Sequence, residues 1–252
     1  SVVLRGTEKF PGVDKQGKKH PRDVVLKLIK HKTQFDNEFR QRQGLDHKYV
    51  LKVIYTSTDH GLASKWINEL PKPYQGFEFG IVMPAAERNL MVVLLQERVE
   101  LALAKTIFAS FVRALGHLHE QGLIQGDFKP SNAVRMPDGS WILIDLDAAV
   151  RIGQPIGVKV LCKTSATSDE EVHYLSTAYM PPEATHIQGD DVVFRVPKEG
   201  VSYEPLAAHP TLDLWSFMVV LFRVVVHKPL LEADARDNLR SKRELIMLVN
   251  WG

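Results

Sequence analysis

The chain has 252 residues, of which 44% are hydrophobic and 25% are charged. These are ordinary values for a folded soluble protein, and they exclude a disordered or collagen-like chain. The 32 lysines and arginines nearly balance the 30 aspartates and glutamates, so the net charge indicates neither a nucleic-acid partner nor an anionic membrane surface.

Cysteine content and apolar stretches indicate the compartment and the relation to membranes. The single cysteine, Cys162, cannot form an internal disulfide or a cysteine-based zinc site, which favours the cytoplasm or another reducing intracellular compartment. The longest apolar stretch runs from Leu214 to Val226 and is interrupted by Arg223. It is about half as long as a bilayer span, so we predict a buried helix there and no membrane span.

A lysine lies inside the first clear strand. Residues 23–29 have the composition of a buried strand, and the alternation of side chains places Lys27 on the same face as Val25 and Ile29. The basic segment 15–22 contains glycine and proline and is predicted to link this strand to an antiparallel neighbour. A charged group is therefore expected between two apolar neighbours on one face of a sheet.

Helical spacing follows the lysine strand. Phe35 and Phe39 are four residues apart, which predicts a helix over residues 32–43 that ends at Gly44. Glu38 lies next to this apolar stripe, so a carboxylate is expected near the core. The remaining strands predicted in this part of the chain are 49–55 and 77–83.

Helices dominate after the strand pattern breaks at residues 84–87, which we predict to be a hinge. A short helix is predicted over 89–96, and apolar residues recur at helical spacing over 104–118. The sequence therefore predicts two lobes, a β-rich lobe of residues 1–83 and a helical lobe of residues 88–252.

The densest group of polar residues surrounds a predicted hairpin over 133–144, whose Pro-Asp-Gly-Ser turn is a hairpin signal. Asn132 directly precedes the hairpin and Asp145 directly follows it, and two such oxygen ligands can hold one Mg²⁺. Asp127 could take the proton of an attacking hydroxyl, and Lys129 could neutralise a transferred phosphoryl group. Taken alone, each residue favours a simpler interpretation, a turn in which an Asp or Asn side chain bonds its own backbone.

The joint spacing of these residues resembles the eukaryotic protein kinase catalytic domain, from about Val24 to Trp251. Residues 125–132 read Gln-Gly-Asp-Phe-Lys-Pro-Ser-Asn, similar to the catalytic loop with its five-residue step from Asp to Asn. Lys27 and Glu38 stand where the family has its lysine strand and its helix glutamate. The further matches are Asp145-Leu-Asp147 at the metal-binding position, Met180-Pro-Pro-Glu183 at the end of an activation segment over 145–183, and Asp213-Leu-Trp-Ser-Phe217 at the start of the central helix.

This resemblance implies an α+β, bilobal protein-kinase-like fold that uses ATP and Mg²⁺. Asp127 would orient the substrate hydroxyl and Lys129 would stabilise the γ-phosphoryl group, which makes them the expected catalytic residues. Lys27, held by Glu38, would contact the phosphates of ATP, and Asp213 would brace the catalytic loop. The implied metal ligands are Asn132 and Asp145, and the residues implied around adenine are Val25, the gatekeeper Met83, Pro84, Ala86 and Val134.

Two positions resemble the serine/threonine rather than the tyrosine subclass. Lys129 is the second residue after the expected catalytic Asp127, and Ser176 lies seven residues before Glu183. The resemblance therefore implies ATP- and Mg-dependent transfer of the γ-phosphoryl group to a serine or threonine hydroxyl of an unidentified protein substrate.

The departures from the family pattern affect phosphate binding and control. No Gly-x-Gly-x-x-Gly precedes the lysine strand, because Gly6, Gly12 and Gly17 have the wrong spacing. Gln125 and Gly126 replace the usual His and Arg, so control through a phosphorylated activation loop is less expected. Asp147 replaces the family's glycine, and its carboxylate would either add a metal ligand or repel the ion. Arg42 replaces an apolar residue that stacks between the lobes, and a buried arginine there would need polar partners.

Two alternatives remain open at this point. A pseudokinase that regulates an attached domain is favoured by the missing glycine-rich loop. A small-molecule phosphotransferase of the aminoglycoside or choline kinase type is favoured by the second acid, Asp147, although Lys129 and the Pro-Pro-Glu element argue against it. Compared with the family, residues 185–212 form an insertion and both ends are short, so we expect further domains of a larger parent chain.

Overall fold

The computed structural model describes residues 1–8, 21–59, 70–156, 176–188, 191–195 and 204–251. Its strands are β1 (Val2–Glu8), β2 (Arg22–Ile29), β3 (Tyr55–Thr56), β4 (Phe79–Pro84), β5 (Arg88–Asn89), β6 (Leu123–Ile124), β7 (Ala133–Arg135), β8 (Trp141–Leu143), β9 (Val150–Arg151), β10 (Thr185–Gln188) and β11 (Asp191–Phe194). Its helices are α1 (Lys32–Arg42), α2 (Leu90–Gln96), α3 (Leu101–Glu120), α4 (Pro210–Val226) and α5 (Lys242–Val249). The α+β prediction is confirmed, with a sheet-rich N-terminal part and a helix-rich remainder.

Several features predicted above lie outside the described residues. They are Gly12, Gly17, Cys162, residues 15–20 of the basic segment, residues 157–175 of the expected activation segment, and residues 189–190 and 196–203 of the expected insertion. The described part of that insertion contains the antiparallel pair β10 and β11 and the start of α4.

The N-terminal sheet is antiparallel and has the strand order β1-β2-β4-β3. Its register sets Lys27 opposite Ile81 and Val25 opposite Met83. The predicted strands 23–29 and 77–83 are confirmed within two residues at either end. The lysine therefore lies in a central strand, with a hydrogen-bonded neighbour on both sides.

The predicted strand over 49–55 is wrong for most of its length. Only its last two residues contact β4: Tyr55 is the first residue of β3, and Ile54 N–H donates to Val82 O (2.8 Å). Upstream, the main chain joins the C-terminal hairpin instead: Leu51 N–H donates to Leu143 O (2.9 Å) and Leu143 N–H donates to Tyr49 O (2.8 Å). The apolar run reflects burial of Val50 against that hairpin rather than a place in the N-terminal sheet.

Helix α1 ends one residue before the predicted position. Gly44 follows it with φ +81°, a left-handed conformation that glycine adopts without strain. The buried face carries Phe35, whose ring stacks on Phe79 at 5.2 Å. Glu38 and Arg42, one and two turns further along, are buried on the same side. The helix thus presents two opposite charges to the interior.

Helix α3 carries the C-terminal core on one side. Ile107, Phe111 and Leu118 have no exposed surface, whereas Lys105 and Arg113 face outward. By length and composition alone this helix could cross a bilayer. In the fold described here its apolar side packs against the other elements of the helical part.

The helix predicted over 214–226 is present as part of α4, but it is buried on one face only. Val220 and Val224 belong to the core, but Leu214, Met218 and Val225 are each at least half exposed. Apolar residues fill most of the run, but a helix must turn one part of such a run away from any single neighbour.

The hairpin of β7 and β8 is confirmed, and β5 adds a third strand to it. Ile144 N–H donates to Asn132 O (2.9 Å). Asn132, which precedes the hairpin, therefore lies beside Ile144, which directly precedes Asp145. The predicted hinge leads into this sheet: Ala85 N–H donates to Asp23 O (3.0 Å) and Glu87 N–H donates to Arg135 O (2.8 Å). The connection is therefore tied down on both sides of Ala86.

Candidate active site

Lys27 is the centre of a group of carboxylates. Its Nζ lies 2.6 Å from Glu38 Oε2, 3.0 Å from Asp145 Oδ1 and 3.4 Å from Asp147 Oδ1. The side chain is only 6% exposed, because β2 lies between two other strands and α1 covers its face. The predicted pairing of Lys27 with Glu38 is therefore present.

Burial and charge oppose each other in this group. Burial lowers the pKa of Lys27, but Asp145, Glu38 and Asp147 together outweigh it and raise that pKa, so the ammonium stays charged. Burial raises the pKa of Glu38 to about 7, against the opposite effect of Arg42 and Lys27. Three carboxylates share one lysine here, and the deepest of them, Glu38, has a raised pKa.

Arg42 supplies a second cation to Glu38. Its Nη2 lies 3.0 Å from Glu38 Oε1, and its Nη1 donates to Glu38 O (2.9 Å). The arginine follows Glu38 by four residues, so the two side chains lie on one face of α1. The buried partner that Arg42 was expected to need is therefore Glu38, on the same helix.

Asp147 connects α1 to the segment after β8. Gln34 Nε2 donates to Asp147 Oδ2 (2.6 Å), while the other oxygen of that carboxylate accepts from Lys27. Asp145, two residues earlier, has φ +58°, and its Oδ1 accepts from Asp147 N–H (3.4 Å). The carboxylate at the position of the family's glycine is therefore engaged by two donors from the N-terminal part.

The predicted catalytic residues Asp127 and Lys129 are in contact. Lys129 Nζ lies 3.2 Å from Asp127 Oδ2, and Asn132 Nδ2 donates to Asp127 O (2.9 Å). Ser176 completes the group, since its N–H donates to Asp127 Oδ1 (3.2 Å) and its hydroxyl accepts from Lys129 Nζ (2.5 Å). Burial raises the pKa of Asp127 despite the opposing charge of Lys129.

Asp213 braces the catalytic loop as the family resemblance implied. Its Oδ2 accepts from Gln125 N–H (2.8 Å) and its Oδ1 accepts from Gly126 N–H (2.9 Å). His119 Nε2 lies 2.8 Å from Asp213 Oδ2. Gln125 also donates through Nε2 to Asp145 O (3.0 Å), so the side chain in place of the family's histidine links the two polar segments.

Gly126 has a steric reason to be glycine. Its φ is +74°, and a Cβ built there would lie 2.5 Å from Ala148 O. An arginine with this backbone would collide with the chain that follows Asp147. The loss of the family's arginine thus accompanies a close approach of two main-chain segments.

The comparisons with known proteins agree with this geometry. The family model described as the protein kinase domain matches residues 13–250, which is nearly the whole chain. The chain belongs to the protein kinase domain family.

Two Arabidopsis thaliana proteins are similar to this kinase domain over part of its length. They are the serine/threonine-protein kinases AtPK1/AtPK6 and AtPK2/AtPK19, each 27% identical over 127 residues. The match covers 50% of this chain and 21% of each relative. The chain therefore matches only about a fifth of the length of these relatives.

The residues expected around adenine lie together in this kinase domain. Met83 and Val134 belong to one buried apolar cluster, and Val25 and Ala86 pack against it. Pro84 ends β4 directly after Met83. The cluster joins β2, β4 and the hairpin, so four of the five residues that the family resemblance assigned to adenine pack together.

The expected metal ligands offer suitable oxygen atoms. Asn132 uses its Nδ2 to donate to the catalytic loop, which leaves its Oδ1 as an acceptor, and Asp145 uses Oδ1 for Lys27. Glu38, Asp145 and Asp147 also have carboxylate oxygens within 4.8 Å of one another. The Asp145 side chain is 39% exposed, whereas those of Glu38 and Asp147 are 0% and 12% exposed, so Asn132 and Asp145 remain the expected Mg²⁺ ligands.

Sequence reasoning missed several partners in the site. Arg42 was assigned to an interlobe stack, although its spacing from Glu38 is a recognisable ion-pair signal. Gln34 and Asp237 had no such signal, because their contacts with Asp147 and Lys129 join residues more than 100 positions apart. Only the fold brings those pairs together.

Proposed function

We propose that this protein kinase domain transfers the γ-phosphoryl group of ATP to a serine or threonine hydroxyl of a protein substrate. The observation that carries the proposal is one connected set of contacts: Lys27 on Glu38 and Asp145, and Asp127 on Lys129. Gln125 links the two groups through its hydrogen bond to Asp145 O. These contacts support the roles that the family resemblance implies for Lys27, Glu38, Asp127, Lys129 and Asp145.

Lys27 and the apolar cluster would bind the nucleotide. Phosphate oxygens would replace part of the carboxylate contacts of Lys27, whose raised pKa keeps its charge. Glu38 holds the ammonium from behind, since Lys27 and Arg42 contact its two different oxygens. Met83 and Val134 offer flat apolar contact to the adenine ring.

Asp127 would receive the accepting hydroxyl. As the hydroxyl oxygen bonds to the γ-phosphorus, the bond between that phosphorus and the bridging β-oxygen breaks, ADP leaves, and the hydroxyl proton passes to Asp127. The raised pKa of the Asp127 carboxyl makes it a better proton acceptor than an exposed aspartate. Lys129 faces the same carboxylate and would offset negative charge on the transferred group.

Mg²⁺ held by Asn132 and Asp145 would neutralise charge on the phosphates. The hairpin fixes the main chain next to both residues, because Ile144 N–H, one residue before Asp145, bonds to Asn132 O. Their spacing is thus determined by strand pairing rather than by a flexible loop.

The contact between Ser176 and Lys129 supports the serine/threonine type. The hydroxyl and the N–H of Ser176 each bind one member of the catalytic pair. The segment after it is thereby fixed beside Asp127, where the accepting residue would lie. The names of the Arabidopsis relatives agree with this assignment.

A pseudokinase is the second candidate, and one observation favours it. Lys27 already has three carboxylate neighbours, and the third, Asp147, replaces a glycine. An ammonium has three N–H donors, so a phosphate must displace one of these partners. If Lys27 binds these carboxylates more strongly than it binds phosphate, the domain would not bind nucleotide.

Phosphate transfer separates the two candidates. We expect the full chain with Mg²⁺ and radiolabelled ATP to label a mixed protein substrate, and Asp127→Asn to reduce the label by at least about a hundredfold. Glu120→Gln, which removes an exposed carboxylate at the end of α3, should leave labelling unchanged. Equal labelling by the wild type and Asp127→Asn would refute the catalytic assignment.

A thermal-shift titration with ATP, with and without Mg²⁺, tests binding separately, because a ligand of the folded state raises the melting temperature. A rise in melting temperature without phosphate transfer would identify a nucleotide-binding pseudokinase. No rise and no transfer would identify a pseudokinase with a purely structural role.

A further inference from the structure

The loop between α4 and α5 carries an acidic side chain to the candidate site. Asp234 Oδ1 accepts hydrogen bonds from the N–H groups of Arg236 (2.8 Å) and Asn238 (2.9 Å). The turn formed in this way holds Asp237 at φ +62°, a left-handed conformation that aspartate tolerates better than most residues. The loop is thus organised by its own side chains around Asp237.

The same loop is fastened to the segment that follows Ser176. Leu239 N–H donates to Thr177 Oγ1 (2.8 Å), and Ala178 N–H donates to Asp237 O (3.2 Å). Asn238 Oδ1 adds two longer contacts, both with Thr177. Asp237 is therefore held in a fixed position next to the catalytic pair.

The carboxylate of Asp237 contacts the catalytic lysine. Lys129 Nζ lies 3.4 Å from Asp237 Oδ2, 3.2 Å from Asp127 Oδ2 and 2.5 Å from Ser176 Oγ. Since an ammonium has three N–H donors, these partners use all of them. A phosphoryl oxygen that binds Lys129 must replace one partner, and Asp237 is the most distant of the three.

Release of Lys129 leaves Asp237 in an unfavourable position. Its side chain is 18% exposed, and among the described residues no ion pair joins it to another cation. It would then face Asp127, another carboxylate, across the space vacated by the ammonium. A partly buried carboxylate is stabilised by a positive partner, and the incoming substrate is the component that can bring one.

We propose that Asp237 is a specificity-determining residue that selects substrates with an arginine or lysine within two positions of the accepting hydroxyl. Successive residues of a peptide are about 3.8 Å apart, so such a side chain can reach Asp237 while the hydroxyl lies at Asp127. Arginine would bind most tightly, because its fork matches a carboxylate. The inference rests on the proposed function, because it takes Lys129 to engage the phosphoryl group.

Peptide binding tests the inference without requiring transfer. Two fluorescein-labelled nine-residue peptides carry a central serine in an alanine background, and one has arginine on both sides of the serine. Fluorescence anisotropy is measured with the full chain, Mg²⁺ and a non-hydrolysable ATP analogue. We expect the arginine peptide to bind about five- to tenfold more tightly, and Asp237→Asn to abolish the difference.

Two further variants separate charge from structure. Asp237→Glu keeps the charge and should keep most of the preference. Glu232→Gln removes a carboxylate from the same loop, where its ion pair within the described part of the chain is with exposed Arg240, and should leave the preference intact. Equal affinity of the wild type for both peptides, binding of neither, or a preference that survives in Asp237→Asn would each overturn the inference.

The proposed function can fail independently. Equal phosphate transfer by the wild type and Asp127→Asn would refute catalysis by Asp127, whatever the peptides show. A wild type that transfers phosphate equally well to both peptides, with kcat/KM within about twofold, would refute the role of Asp237 alone.

Discussion

Gln34 on α1 donates a 2.6 Å hydrogen bond to Asp147, two residues after the expected metal ligand Asp145. Lys27 contacts the other oxygen of the same carboxylate. A residue that replaces glycine thus joins the helix, the lysine strand and the segment after the hairpin. It also adds negative charge where the phosphates of ATP would lie, and these two effects lead to a testable result.

Asp147→Asn should tighten binding of Mg-ATP. The amide oxygen can still accept from Gln34, while one carboxylate that competes for Lys27 is removed. We expect the Kd to fall about three- to tenfold, measured by titration calorimetry. If Asp147 were instead a metal ligand, the same variant would weaken binding of Mg-ATP and leave binding of ATP without Mg²⁺ unchanged.

Arg42→Met should destabilise the fold. Glu38 would retain Lys27 but lose its second cation, and breaking a buried pair by removing one partner costs about 3 kcal/mol. Urea denaturation of the single variants and of the double variant with Glu38→Gln would measure the coupling. Additive losses in this cycle would show that the 3.0 Å contact between the two side chains contributes no coupling.

The pKa of Glu38 predicts a pH dependence of stability. It is raised from 4.5 to about 7 in the folded chain, so between these values the folded state binds a proton that the unfolded state has released. The contribution of this group is complete below pH 4.5 and is lost as the pH rises through about 7.

We therefore expect the free energy of unfolding of the wild type to fall, relative to Glu38→Gln, by about 2 kcal/mol between pH 5 and pH 7.5. Denaturant titrations at intermediate pH values would follow the change. A constant difference between the two proteins would contradict the raised pKa.

Gly126→Ala should destabilise the chain by about 3 kcal/mol or more, because it combines a left-handed backbone with a collision against Ala148 O. Gly139→Ala is the matched control, since Gly139 has φ +83° but nothing within 4 Å of a built Cβ. The control should lose only about 1 kcal/mol from backbone strain. Equal losses in the two variants would show that the chain near Ala148 moves aside without cost.

Local patterns predicted much of this fold. Period-two alternation placed Lys27 on β2, phenylalanines four residues apart located α1, and a turn motif located the hairpin that carries Asn132. These signals depend on neighbours in sequence. The segment at 49–51 was misassigned because its main chain pairs with Leu143, more than 90 residues away, and burial alone does not identify the partner.

The candidate site likewise contains residues that local sequence patterns predict and a contact that only the fold determines. Asp127, Lys129 and Asn132 share one short loop with a recognisable spacing, and the structure brings them together. The contact of Asp237 with Lys129 depends on how a distant loop docks on Thr177. No periodicity in the sequence encodes that docking, so the acidic side chain could not be anticipated.

The short connection between the two parts of the molecule limits how they can move. On one side Ala85 is bonded to Asp23, and on the other Glu87 is held by the main chain and the guanidinium of Arg135. Ala86 lies between these anchors and packs against the apolar cluster of Met83 and Val134. The main-chain bonds of Leu51 and Tyr49 with Leu143 join the same two parts at a second place. A rotation about the backbone torsions of Ala86 would therefore have to break those bonds, so we expect the two parts to resist opening about this connection alone.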